Sequence, residues 1–98
     1  MGRYFVLWEI DNSLVPIDLA ERNTGFKLLI DMVKKDMEKG KIREWGIMVG
    51  ELRGGAIAEG SAEEIHEMMH QYIPICQFEL HELVSVDQVE AILNATAE

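Results

Sequence analysis

SAEEIHEMMHQYIPICQFELHEL, residues 61–83, decides the fold. Ser61 followed by Glu64 is a capping box: the hydroxyl accepts from the N3 amide while the carboxylate reaches back to the cap amide. Ala62, Ile65, Met68, Met69 and Tyr72 then recur at helical spacing and form one apolar stripe. Pro74 has no amide hydrogen to donate and stops the helix. From Cys76 to Val84 the period falls to two. Cys76, Phe78 and Leu80 share one face of a strand, and Gln77, Glu79 and His81 share the other. A capped helix, a turn and a half-polar strand therefore follow one another in 23 residues.

Upstream, Tyr4–Ile10 is β-branched and aromatic and reads as a strand. Val6, Trp8 and Ile10 point one way, and Phe5, Leu7 and Glu9 the other. Two largely apolar faces suit a central strand covered on both sides. Asp11, Asn12, Ser13 and Pro16 form a loop, and Asp18 with Glu21 fits a second capping box. The firm part of the following helix is expected over Thr24–Lys39. Phe26, Leu29, Ile30, Val33 and Met37 make its apolar stripe, Lys34, Lys35, Asp36, Glu38 and Lys39 its polar side, and Gly40 its end. Strands over Ile42–Glu51 and Gly54–Glu59 read as a hairpin bent near Arg53 and Gly54. The Gly54–Gly55 pair is read as a turn in preference to a phosphate loop, because no helix starts directly after it. Ser85 with Gln88 opens a short C-terminal helix whose apolar side is Val86, Val89, Ile92 and Leu93.

The order is β-α-β-β-α-β plus a terminal helix, one domain over residues 1–98. Right-handed crossovers turn it into a four-stranded antiparallel sheet of order 4-1-3-2, with the first two helices on one face. This is the ferredoxin-like α+β arrangement. Its other face has no cover within the chain, yet carries Phe5 and Leu7, and such a patch marks an interaction surface. Two copies packed sheet on sheet answer that need, so a homodimer or higher homo-oligomer is expected.

Composition narrows the partners. Eighteen acidic against nine basic residues leave a formal charge of −9, a field that repels nucleic acid and anionic membranes. No apolar run approaches the ~18 residues of a membrane span. Cys76 is the single cysteine, so no internal disulfide forms, and a reducing cytoplasm suits the chain. Met1–Arg3 leads straight into a strand, which reads as no signal peptide.

The run S-x-E-x-[IL]-H beginning at Ser61, then Pro74, then alternating residues ending in E-[LV]-x-x-L, resembles muconolactone isomerase, as do Gly40, Arg43 and Gly50 upstream. The resemblance covers about 25 residues well and most of the chain loosely. It implies the dimeric α+β barrel, in which two such sheets close around a cavity. That superfamily holds isomerases, cofactor-free monooxygenases, haem proteins and modules without known reaction, so activity does not follow from fold. The helix FKLLIDMVKKDMEKG lacks the isomerase's acidic and polar run, and the tail is a capped helix instead of a His-Pro-Ser segment.

The chemistry-bearing residues fall in two groups. His66-Glu67-Met68-Met69-His70 spells H-E-x-x-H. The helical wheel, however, sets His66 at the edge of the buried face and His70 toward solvent, with no third ligand, so no metal and no cofactor are expected. The second group faces the inferred barrel interior. Glu79 and His81, joined by Glu9 from the neighbouring strand, are candidate proton-transfer groups for a lactone- or enone-type isomerisation on a small carboxylated metabolite. Gln77, Phe5, Leu7 and Trp45 are candidates to line the small-molecule cavity, and Arg43 to hold a substrate carboxylate. Trp45 stands between core and cavity. The competing reading is a non-catalytic ligand-binding or structural homodimer, in which these polar groups pair across the two-fold axis.

Overall fold

The computed structural model describes residues 2–97. Its organising strand is β1 (Gly2–Ile10), hydrogen-bonded on both sides. The alternation decides its two faces. Val6, Trp8 and Ile10 are 1%, 6% and 7% exposed beneath the helices, whereas Phe5 on the other face is 41% exposed. The chain continues through α1 (Leu19–Glu38), β2 (Ile42–Ile47), β3 (Arg53–Gly60), α2 (Ala62–His70), β4 (Cys76–Leu83) and α3 (Val86–Ala95). All pairings are antiparallel, in the order β2-β3-β1-β4. The ferredoxin-like α+β fold is therefore present, with its short terminal helix.

Local signals explain the helix starts. Ser61 and Glu64 exchange both capping-box bonds, at 3.2 and 3.0 Å, and Ser85 and Gln88 do the same at 3.1 and 2.8 Å. Asp18 accepts from the Glu21 amide at 3.0 Å, so α1 begins at Leu19, five residues before the expected firm start. The cap offsets Gly25 there. The α1 stripe is also rotated. Asp36, expected on the polar side, is 4% exposed, and Met37, expected in the stripe, is 41% exposed. Asp36 is held inside because its Oδ2 accepts from Tyr72 Oη at 2.8 Å and Gln71 Nε2 at 3.0 Å, which ties α1 to the end of α2.

The hairpin bend sits elsewhere than expected. It spans residues 48–52, closed by Met48 N to Arg53 O at 2.8 Å, with Gly50 at φ +77°. Gly54 and Gly55 belong to β3 itself. A side chain at Gly54 would meet the Trp8 ring at 2.7 Å and the backbone of β2, so this glycine makes room for packing and does not make the turn. The Trp8 ring stacks on Trp45, centroids 5.1 Å apart and 7° from parallel.

Under α1 lies an apolar cavity of about 300 Å³, lined by Trp8, Phe26, Leu29, Val33, Trp45 and Phe78. The chain spans 63 × 25 × 19 Å, with a radius of gyration of 16.5 Å, against about 13 Å for a compact 100-residue domain. Among the described residues no helix is long and apolar enough to cross a membrane.

Candidate functional site

The open sheet face is built from odd-numbered residues of three strands, a consequence of the two-residue strand period. Its rows follow from the register. Gln77 of β4 lies opposite Glu9 of β1, and Glu9 opposite Arg53 of β3. The next row is Glu79, Leu7 and Gly55, and the one after it His81, Phe5, Ile57 and Glu44. Leu7, Phe5 and Ile57 thus form an apolar middle, with Glu9 and Arg53 at one end of it and Glu79 and His81 along the β4 edge.

His81 Nε2 lies 3.1 Å from Glu79 Oε2, two residues apart on the same face of β4. Both side chains are open to solvent, at 62% and 66%. Glu79 is also a diagonal neighbour of Glu9, a relation that places their Cα atoms about 7–8 Å apart. Glu9 and His81 are not adjacent. Four residues of strand separate Glu9 from the His81 partner Phe5, roughly 13 Å. A recess of about 330 Å³ collects Leu7, Glu9, Met48, Arg53, Gln77 and Glu79.

Five expected residues therefore share one end of the face or its edge: Glu9, Glu79, Gln77 and Leu7 in the recess, with His81 3.1 Å from Glu79. Phe5 sits one row away, beside His81. Two expected residues are elsewhere. Trp45 is on the helix side, stacked on Trp8, because the irregular register between Ile42 and Glu44 sets it opposite Ala56. Arg43 lies in that irregular stretch of β2, with β3 and β1 between it and β4, about 14 Å away at the usual strand spacing.

The cation in the recess is Arg53, which belongs to β3 and not to the expected hairpin bend. Its Nε donates to Glu51 Oε1 at 3.1 Å and its Nη2 lies 3.0 Å from the same oxygen, an ion pair that leaves the other guanidinium nitrogen, Nη1, without a partner among the described residues. The signal that places it is alternation within β3. Arg53, Gly55, Ile57 and Glu59 form one face and Gly54, Ala56, Ala58 and Gly60 the other, obscured by reading Gly54 as the bend.

Other titratable groups are occupied structurally. Burial, reinforced by the Asp36 hydrogen bond, pushes the Tyr72 phenol far above its ordinary value. Burial likewise raises the Cys76 thiol, which keeps it protonated and unreactive. His66 and His70 stack on the exposed side of α2 with ring centroids 6.4 Å apart. Among the described residues no three His, Cys, Asp or Glu side chains gather as metal ligands. No protein-family model matches the chain, and no curated protein matches it in sequence.

Proposed function

We propose that this chain is a small isomerase-like protein, working without a cofactor as a homodimer in a reducing cytoplasm. Two open sheet faces would oppose each other around a cavity that takes a small carboxylated or lactone-type metabolite. The observation that carries the reading is the joint placement of Glu9, Glu79, His81, Gln77 and Arg53 on an uncovered, partly apolar sheet face. An opposing sheet would remove water from these groups, which strengthens every charge interaction among them.

The roles follow from the chemistry. Arg53 and Gln77 donate to the substrate carboxylate and fix its orientation. Glu79 takes a proton from the carbon next to the substrate carbonyl, with the His81 imidazole 3.1 Å from it holding its orientation. Glu9, across the recess, delivers a proton to the second carbon, and exchange with solvent then takes the proton from Glu79 and restores one to Glu9. One C–H bond breaks and another forms while the double bond moves between them. No redox partner enters.

The alternative, a non-catalytic homodimer, has one observation in its favour: the polar groups of the face already lie against one another, His81 3.1 Å from Glu79 and Arg53 bonded to Glu51. One experiment separates the readings. Solvent deuterium incorporation into β,γ-unsaturated carboxylates and lactones is followed by NMR, alongside native mass spectrometry. The enzyme reading expects a dimer and catalysed exchange that falls about 100-fold or more in His81→Ala and Glu79→Gln. Exchange no faster than buffer across the panel overturns it and leaves the non-catalytic dimer. A monomer overturns both.

A further inference from the structure

We propose that α3 is an exchange arm that packs into the groove between α2 and β4 of a second copy of this chain. The starting observation is a helix that is well made and yet unsupported. Both capping bonds at Ser85 are present, at 2.8 and 3.1 Å. The helix has only ten residues, though, and isolated helices shorter than about 12–15 residues are marginal in water. Its own chain leaves every residue of it in the exposed class. Val86, Val89, Ile92 and Leu93 form one apolar stripe and are 82%, 43%, 55% and 62% exposed. Four apolar residues on one side of a capped helix are a surface made to be covered.

The same chain carries a surface of matching character. β4 is an edge strand, and an open groove separates it from α2. Tyr4, Phe78 and Leu80 remain only partly buried on the helix side, and with Ile65 and Met69 they line a groove of about 690 Å³. The arm does not reach this groove in its own chain. Only Val84 and Ser85 link it to β4, Ser85 is extended at φ −70° and ψ 165°, and the helix leaves from the Leu83 end while the groove runs back to Pro74.

Area identifies the occupant. The chain exposes 7199 Å², against about 5,700 Å² for a compact monomer of this size, an excess of roughly 1,500 Å². A standard interface removes about 800 Å² per partner, so the excess has room for the open sheet face and an arm together. A two-fold exchange fills both grooves with both arms and leaves neither over, which makes the assembly closed. The match is apolar, not electrostatic: α3 carries Asp87 and Glu90, and Asp11 and His66 border the groove.

This surface lies on the helix side of the sheet, so the inference stands apart from the sheet-face cavity. The test uses full-length chains of two distinguishable masses, one Leu93→Cys and the other Ala62→Cys, mixed and treated with a bismaleimide. Both chains also carry Cys76→Ala, because that thiol lines the same groove and would compete for the reagent. A mixed-mass cross-link as the main product is the expected result. The doubly substituted single chain, treated at high dilution, should remain uncross-linked within itself; efficient intrachain linkage would show fold-back and overturn the exchange. Failure of any arm-to-groove linkage also overturns it. Leu93→Asp should weaken dimerisation at least tenfold in sedimentation. Leu7→Lys, which strikes the open sheet face, should leave the arm cross-link in place, so loss of the sheet-face dimer and loss of the arm are read separately.

Discussion

Tyr72 and Asp36 show what a single buried pair does to this chain. The Tyr72 phenol is buried and donates to a carboxylate at 2.8 Å, so ionising it would set two negative charges side by side away from water. The folded state therefore holds the phenolic proton more tightly than the unfolded chain, whose phenol ionises near pH 10. The sign follows directly: the contribution is complete below pH 10 and is progressively lost as pH rises past it. Denaturant midpoints measured from pH 8 to pH 11.5 should fall above pH 10, and Tyr72→Phe should flatten that fall. Asp36→Ala should cost about 1–3 kcal/mol at neutral pH by leaving a buried hydroxyl unpaired, read by urea unfolding. Nothing in the local sequence marks Asp36 as buried. It sits among Lys34, Lys35, Glu38 and Lys39, and only the long-range partners Tyr72 and Gln71 draw it inward.

Secondary-structure elements are where local chemistry speaks most clearly. Ser61–Glu64 and Ser85–Gln88 announce two helices, and both reciprocal bonds form at each. The alternation in residues 76–83 announces β4 and sorts its faces as observed. The hairpin is the counterexample. Two consecutive glycines look like a bend, yet Gly54 lies inside β3 because the Trp8 ring and the β2 backbone occupy the space above it. Gly54→Ala should therefore destabilise by about 1–3 kcal/mol through overpacking, measured by thermal or urea unfolding. Gly55→Ala should be milder, since its nearest neighbours are ordinary contacts at 3.6 and 3.9 Å. Equal effects at the two positions would contradict this account of the strand.

The whole molecule is defined by what it leaves uncovered: an open sheet face, a groove beside β4 and a projecting helix. All three argue for association, while a charge of −9 on each copy opposes it. The balance should move with ionic strength. Raising salt from about 20 to 300 mM shortens the screening length several-fold, so the dimer dissociation constant should fall by sedimentation. A constant that rises with salt would mean that ion pairs, not apolar burial, hold the copies together.

The order of elements, the antiparallel strand sequence and the grouping of Glu9, Gln77, Glu79 and His81 on one face were all legible from the chain alone. They rest on periodicity and capping, which are interactions among neighbours. Four matters were decided only in three dimensions: the burial of Asp36, the position of the hairpin bend ahead of Arg53, the placement of Trp45 on the core side, and the replacement of Arg43 by Arg53 in the recess. Each depends on a contact between residues distant in sequence or on an irregularity in strand register. A one-residue irregularity changes which face every following side chain occupies, and no local pattern records where it falls.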